Sequence, residues 1–242
     1  ALDRHSLYSE SGAALMLVTT SDYDLNTLSD TNIYTTSFFS NPPYTSGFGG
    51  TSAASPIAAG VCALVLQANP NLTWRDLQHV LIRSARKLNT SDGSWGYNAA
   101  GAGHLHMRSD LYGFGAIDAG AAVALATNWT NRPSETSLIA PSVAVNLPIP
   151  DGDANGITST TQVSGSLILE RAQVTLTATH PSIGQLTIWL ISPSGTQSLL
   201  ASTRSDTTFG GYNNYTFTTV GLWEERTSGS WSLKIADQST GS

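Results

Sequence analysis

Gly50-Thr51-Ser52-Ala53-Ala54-Ser55-Pro56, running on into the apolar stretch Ile57 to Leu66, is the part of this chain from which the rest is read. A tight glycine-bearing turn is followed by a small hydroxyl residue and then by a helix too rich in Ala, Val, Ile and Leu to lie on a surface. That helix is predicted to begin at Ser52, to be buried, and to end near Ala68, where Asn69-Pro70 breaks it. A serine in this place can simply cap the helix. It can also be a nucleophile, because its own N–H is a first-turn donor without an intrahelical acceptor and can point at negative charge developing on a carbonyl. The helix dipole acts in the same direction. Capping alone does not call for the glycine turn, Pro56 and the small-residue apolar helix together, so Ser52 is read as a nucleophile. The G-x-S-x-G elbow is not matched, since Ala54 stands at the second glycine.

G-T-S-A-A-S-P followed by I-A-A-G-V resembles the serine segment of the subtilisin-like proteases. The continuation Gln67 to Gln78 resembles the kexin and furin-type (proprotein convertase-like) branch. Leu7-Tyr8-Ser9-Glu10-Ser11-Gly12 is similar to the Tyr-Ser-Glu segment of that branch. Tyr112 to Ala119 with Gly120 to Thr127 is similar to the closing helix of its catalytic domain. The resemblance implies an α/β subtilisin-like catalytic domain, C-terminal part only, over residues 1–133. Ser52 would be its nucleophile, and the Ser52 N–H and Thr51 hydroxyl its oxyanion donors. Glu10 would be one ligand of a structural calcium ion beside the pocket for the substrate's first side chain. Calcium takes roughly six to eight oxygens, and a solvated glutamate in a turn is the plain alternative.

Thr73 is expected to cap a second helix with Asp76 in the capping-box position, its buried face formed by Leu77, Val80, Leu81 and Leu88. Ala13 to Val18 reads as a short buried strand and residues 21–49 as a long polar loop. Within that loop Asp22-Tyr23-Asp24-Leu25-Asn26 looks like half a calcium loop, but Thr27 replaces its turn glycine, so these are read as capping carboxylates. His104 and His106 form an H-x-H pair without further ligands nearby. Residues 128–136 read as a linker.

From about Ser137 the texture becomes alternating, with strands expected at Val143–Leu147, Gln173–Ala178, Leu186–Leu190 and Trp231–Ile235 and a turn at Ser192–Gly195. Leu190 to Thr196, Asn214 to Phe217 and Gly229 to Leu233 resemble the P domain of kexin-like proteases. Residues 134–242 are therefore expected to form an all-β jelly-roll-like sandwich, short of its last strand, with Trp189 and Trp223 as exposed aromatics for an interface. Asp151-Gly152-Asp153-Ala154-Asn155-Gly156 opens like a calcium loop, yet Gln162 stands where the bidentate glutamate belongs, and a turn is the alternative.

With 11 Lys and Arg against 17 Asp and Glu, the net charge of −6 leaves no basic footprint for nucleic acid. The run Ile57 to Leu66 is about half of the ~20 residues that cross a bilayer, so no membrane span is expected. Cys62 is the sole cysteine, which excludes an internal disulfide. Sequons at Asn71, Asn89, Asn128 and Asn214 suit a secreted protein.

A serine hydroxyl needs an imidazole to take its proton and a carboxylate to orient that imidazole. None of His5, His79, His104, His106 and His180 has the His-Gly-Thr context of the family, and neither its Asp-Ser/Thr-Gly segment nor its oxyanion asparagine is recognisable. The resemblance, with its chain order Asp, His, Asn, Ser, puts all three in an upstream part of the same polypeptide. It implies a serine endopeptidase acting on protein or peptide substrates, with cleavage after basic residues, secreted or in the secretory pathway. These residues alone would be inactive. The alternative is a catalytically inactive protease-like scaffold serving as a structural or binding module in an extracellular assembly.

Overall fold

The computed structural model describes residues 4–23, 33–100 and 107–241. They cluster into two units. The first comprises the chain up to Ser11, Leu15–Gly96 and Arg108–Ser134, and the second Gly12–Ala14, the stretch from Tyr97 to Met107, and the chain from Glu135 onward.

In the first unit an antiparallel hairpin, β1 (Ile33–Thr36) and β2 (Tyr44–Phe48), leads into α1 (Thr51–Ala68), followed by α2 (Trp74–Ser84). Two-residue strands β3 (Gly96–Tyr97) and β4 (Met107–Arg108), each with one residue assigned to either unit, are followed by α3 (Ala119–Thr127) in the first. The hairpin replaces part of the polar loop expected over 21–49, since Ile33-Tyr34-Thr35-Thr36 and Tyr44-Thr45 supply β-branched and aromatic residues on facing strands. Asp24, Leu25, Asn26, His104 and His106 lie outside the described residues. Ala13–Val18 is not a strand. Only Val18 makes a bridge, parallel to Ala116, while Phe114 N–H donates to Met16 O at 2.8 Å.

The core of this unit packs Val65 of α1 against Leu72, Val80 and Leu81 and against Ala122 and Ala126 of α3. Of the expected buried face, Leu77, Val80 and Leu81 lie on α2 with Val80 and Leu81 buried, but Leu88 does not, because α2 ends at Ser84. The capping box forms as expected: Asp76 N–H donates to Thr73 Oγ1 at 3.2 Å, and Thr73 N–H to Asp76 Oδ2 at 2.9 Å. Asp76 does more than cap. Its Oδ1 accepts from Trp129 Nε1 at 2.9 Å and from Arg132 N–H at 2.7 Å, so the stretch after α3 is tied down instead of being a free linker.

Burial of α1 departs from expectation. Of its 18 residues only Ala53 and Val65 are buried, while Ile57, Leu64 and Leu66 are 37%, 50% and 37% exposed. Its apolar residues surround the helix, whereas α2 and α3 cover one side of it. With a mean hydropathy of 1.4, α1 is long and apolar enough by length and composition alone to cross a membrane.

Gly113 marks a close approach. It has φ +57°, and a Cβ there would stand 2.3 Å from the Met16 carbonyl oxygen. Gly113→Ala is expected to destabilise the protein by about 2 kcal/mol, combining left-handed backbone strain with displacement of the Met16 backbone. An unchanged thermal midpoint would contradict it.

The second unit is a set of antiparallel strands: β5 (Ile157–Val163), β6 (Ala172–Ala178), β7 (Leu186–Ile191), β8 (Gln197–Ala201), β9 (Tyr212–Thr219) and β10 (Gly229–Asp237). A four-stranded sheet runs β5-β10-β7-β8, and a two-stranded one pairs β6 with β9. In β7, Leu186, Ile188 and Leu190 point inward in alternation, meeting Phe217, Tyr212 and Ile235 in one cluster and Leu222 and Trp231 in another. Val143–Leu147 is coil, because no strand pairs with it; Val143 and Leu147 are 51% and 58% exposed. Asp151–Gly156 is a turn.

Trp223 is not an exposed aromatic. It is 1% exposed, and Trp189 is half-buried. The neighbouring Glu225 is equally buried and holds two segments of this unit, accepting from Ala99 N–H at 2.9 Å and from Ser192 Oγ at 2.6 Å. Asn98 Nδ2 donates to Trp223 O at 2.8 Å, and Val220 N–H to Ala13 O at 3.0 Å.

Candidate functional site

The site is built on the junction of β2 and α1. Gly50 is the N-cap of α1 and has φ 74° and ψ 179°, a conformation in practice reserved for glycine. The first helical amides to find an acceptor are those of Ala53 and Ala54, both on Gly50 O, at 3.1 and 3.4 Å. The N–H groups of Thr51 and Ser52 precede them and have no acceptor among the described residues. Both side chains are exposed, while Ala53 beneath them is buried. Ser52 is thus presented outward on a helix whose first turn is anchored by its neighbour.

What holds this turn comes from the N-terminal stretch. Asp22, 3% exposed, accepts at Oδ1 from Gly50 N–H at 2.6 Å and from the Tyr8 hydroxyl at 2.5 Å. Ser21 Oγ donates to Gly50 O at 2.7 Å, and Thr19 Oγ1 to Ala54 O at 2.8 Å. Gly49 has no room for a side chain, since a Cβ would lie 2.2 Å from Asp22 Cγ. Burial pushes the Asp22 carboxyl up, but the hydrogen bonds from Tyr8 and Gly50 outweigh it and hold the group below the ordinary carboxylate range. Sequence reading treated Asp22 as a loop carboxylate and did not connect it to Ser52. The only signal was its company, Ser21-Asp22 after two threonines, because 28 residues separate it from Gly50.

Glu10 is exposed. Among the described residues no group of three or more His, Cys, Asp or Glu could hold a metal ion. One carboxylate does not make a shell of roughly six to eight oxygens, so the described residues do not by themselves form the calcium site that the resemblance implies. The described histidines have their contacts elsewhere. The His5 ring meets Tyr112 edge-on at 6.1 Å, His79 is buried in α2 beside the Trp129 ring, and in the second unit His180 Nε2 lies 3.2 Å from Asp237 Oδ2.

A serine on a glycine turn at a helix start, an α/β unit around it and a β-sandwich unit after it define a subtilase segment of the kexin-like branch: the C-terminal part of a catalytic domain followed by a P domain. Residues 5–115 match the subtilase family and residues 169–242 the proprotein convertase P-domain. Among relatives, Protease KEX1 of Kluyveromyces lactis is 38% identical over 239 residues, 96% of this chain and 30% of that protein. Human proprotein convertase subtilisin/kexin type 7 is 39% identical over 200 residues, 80% of this chain and 25% of that protein. This chain thus spans less than a third of the length of these relatives. The serine protease of Aeromonas sobria, solved in complex with its chaperone ORF2, superimposes with a TM-score of 0.85 at 25% identity, covering 98% of this chain and 49% of that one.

Proposed function

We propose that this chain carries the nucleophile of a serine endopeptidase of the kexin-like subtilase type. Ser52 Oγ attacks the scissile carbonyl, and the Ser52 N–H and Thr51 hydroxyl receive the oxyanion. The observation that carries the reading is the exposed Ser52 hydroxyl beside two first-turn N–H groups without acceptors, on a turn held by Asp22. None of His5, His79 and His180 makes a hydrogen bond to Ser52, so the proposal requires an imidazole brought to Ser52 by another part of the protein, with its orienting carboxylate. Without them the fragment is inactive. Glu10 belongs to the same proposal as one oxygen ligand of a calcium site completed outside the described residues. The relationship to kexin and the convertases supports protein substrates cut after basic residues and a secretory-pathway location. The asparagines at 71, 89, 128 and 214 are all exposed, as glycosylation there would need.

The test is labelling of the full-length protein with a fluorophosphonate, which requires an activated serine. Wild type should label and Ser52→Ala should not. An unlabelled wild-type protein would leave the catalytically inactive scaffold as the better reading.

A further inference from the structure

Every polar group of the Gly50 peptide unit that could swing the Ser52 turn is already committed. The N–H is held by Asp22 Oδ1 at 2.6 Å, and the carbonyl is held by Ser21 Oγ at 2.7 Å and by the first two bonded amides of α1. Asp22 is in turn fixed from a third direction. Tyr8 Oη donates to its Oδ1 at 2.5 Å, and Ser6 Oγ donates to its backbone carbonyl at 2.6 Å. The carboxylate also sits in contact with Gly49, whose missing side chain leaves the only space for it. A buried carboxylate with this set of partners does not serve solubility, and a capping role would need it to follow the helix axis at its own position in sequence. It reaches instead across 28 residues to one amide.

We propose that Asp22 is a positioning residue for Ser52: by holding the Gly50 N–H it fixes the left-handed glycine and, through it, the direction of the Thr51 and Ser52 N–H groups and the Ser52 Cα–Cβ bond. The inference rests on the reading of Ser52 as nucleophile. Its physical content is narrower than that reading. A free glycine passes readily between conformations with positive and negative φ, so without the carboxylate the peptide before Thr51 would sample orientations that turn the oxyanion donors away. The charge itself is compatible with the place, since a carboxylate at a helix N-terminus is favoured by the dipole.

Two substitutions in the full-length protein separate position from charge. Asp22→Ala removes the acceptor. Asp22→Asn keeps at the Oδ1 position an acceptor oxygen for both Gly50 N–H and Tyr8 Oη while removing the charge. Asp22→Ala is expected to lower kcat, and the rate of fluorophosphonate labelling, by about tenfold to a hundredfold with KM within about twofold, the scale of a small misplacement of a reacting group. Asp22→Asn is expected to recover most of the loss. An Asp22→Ala protein with unchanged kcat, or an Asp22→Asn protein as impaired as the alanine variant, overturns the proposal.

Amide hydrogen exchange supplies a readout that does not need an active protein. In Asp22→Ala, exchange should quicken at the hydrogen-bonded amides of Gly50, Ala53 and Ala54 and stay unchanged at Leu64 to Leu66, in the same helix. Faster exchange along all of α1 would mean general loosening and would also overturn it. Should wild type fail to label, the nucleophile reading falls, while the exchange result still decides whether Asp22 holds the turn.

Discussion

Ser52→Ala in the full-length protein is expected to reduce turnover by about a millionfold, the scale of losing the nucleophile in subtilisin, where the residual rate comes from binding and the oxyanion hole. The folded state should hardly notice. Ser52 is exposed, its side chain makes no hydrogen bond among the described residues, and alanine is the better helix former by a few tenths of a kcal/mol. The thermal midpoint should therefore stay put or rise slightly while activity vanishes. That dissociation is the diagnostic feature: a serine needed only to cap α1 would cost stability on replacement and leave chemistry alone. A variant that keeps more than about one per cent of wild-type kcat contradicts the assignment of the nucleophile.

Asp76→Ala is expected to be the most damaging single change to stability. Its carboxylate is inaccessible to solvent and accepts from Thr73 N–H, Thr73 Oγ1, Trp129 Nε1 and Arg132 N–H. Truncation leaves these donors unpaired and unpins the segment after α3, at a cost of about 3–4 kcal/mol, which lowers the midpoint by roughly 8–12 °C in a chain of this size.

The same group sets an acid limit. Burial pushes the Asp76 carboxyl up, but the hydrogen bonds from Thr73, Arg132 and Trp129 outweigh it and bring the pKa down to about 2. A carboxyl depressed on folding contributes stability that is present above its unfolded value of about 4 and is lost as pH falls toward the folded one. Wild type should thus lose about 2 kcal/mol between pH 5 and pH 2 through this residue. Asp76→Asn should flatten that part of the profile. A variant whose acid transition coincides with that of wild type would show that other carboxylates govern it.

The outcome for particular elements shows where sequence reading stops. The α2 cap was legible because Thr73 and Asp76 are three residues apart and the motif closes on itself. Strands β6, β7 and β10 were legible because period-two alternation records one buried face. The polar Ile157–Val163, with five Ser, Thr or Gln in its interior, was not recognised as β5, since its pairing with β10 is a property of the partner strand. Val143–Leu147 alternates equally well and remains coil for want of such a partner. The burial of Trp223 was missed for the same reason: a tryptophan's neighbours are chosen by the fold.

By itself the sequence determined the local chemistry of this protein: a serine after a glycine turn, a helix start behind it, a capping box, and the period-two alternation of β6, β7 and β10. These are encoded within a few residues because capping, helix breaking and alternation act over one or two turns of chain. Only the tertiary structure decided that Asp22 grips Gly50, that Asp76 anchors Trp129 and Arg132, and that one side of α1 is left open. Such contacts join residues tens of positions apart, and no short-range pattern constrains which distant donor a buried carboxylate will meet.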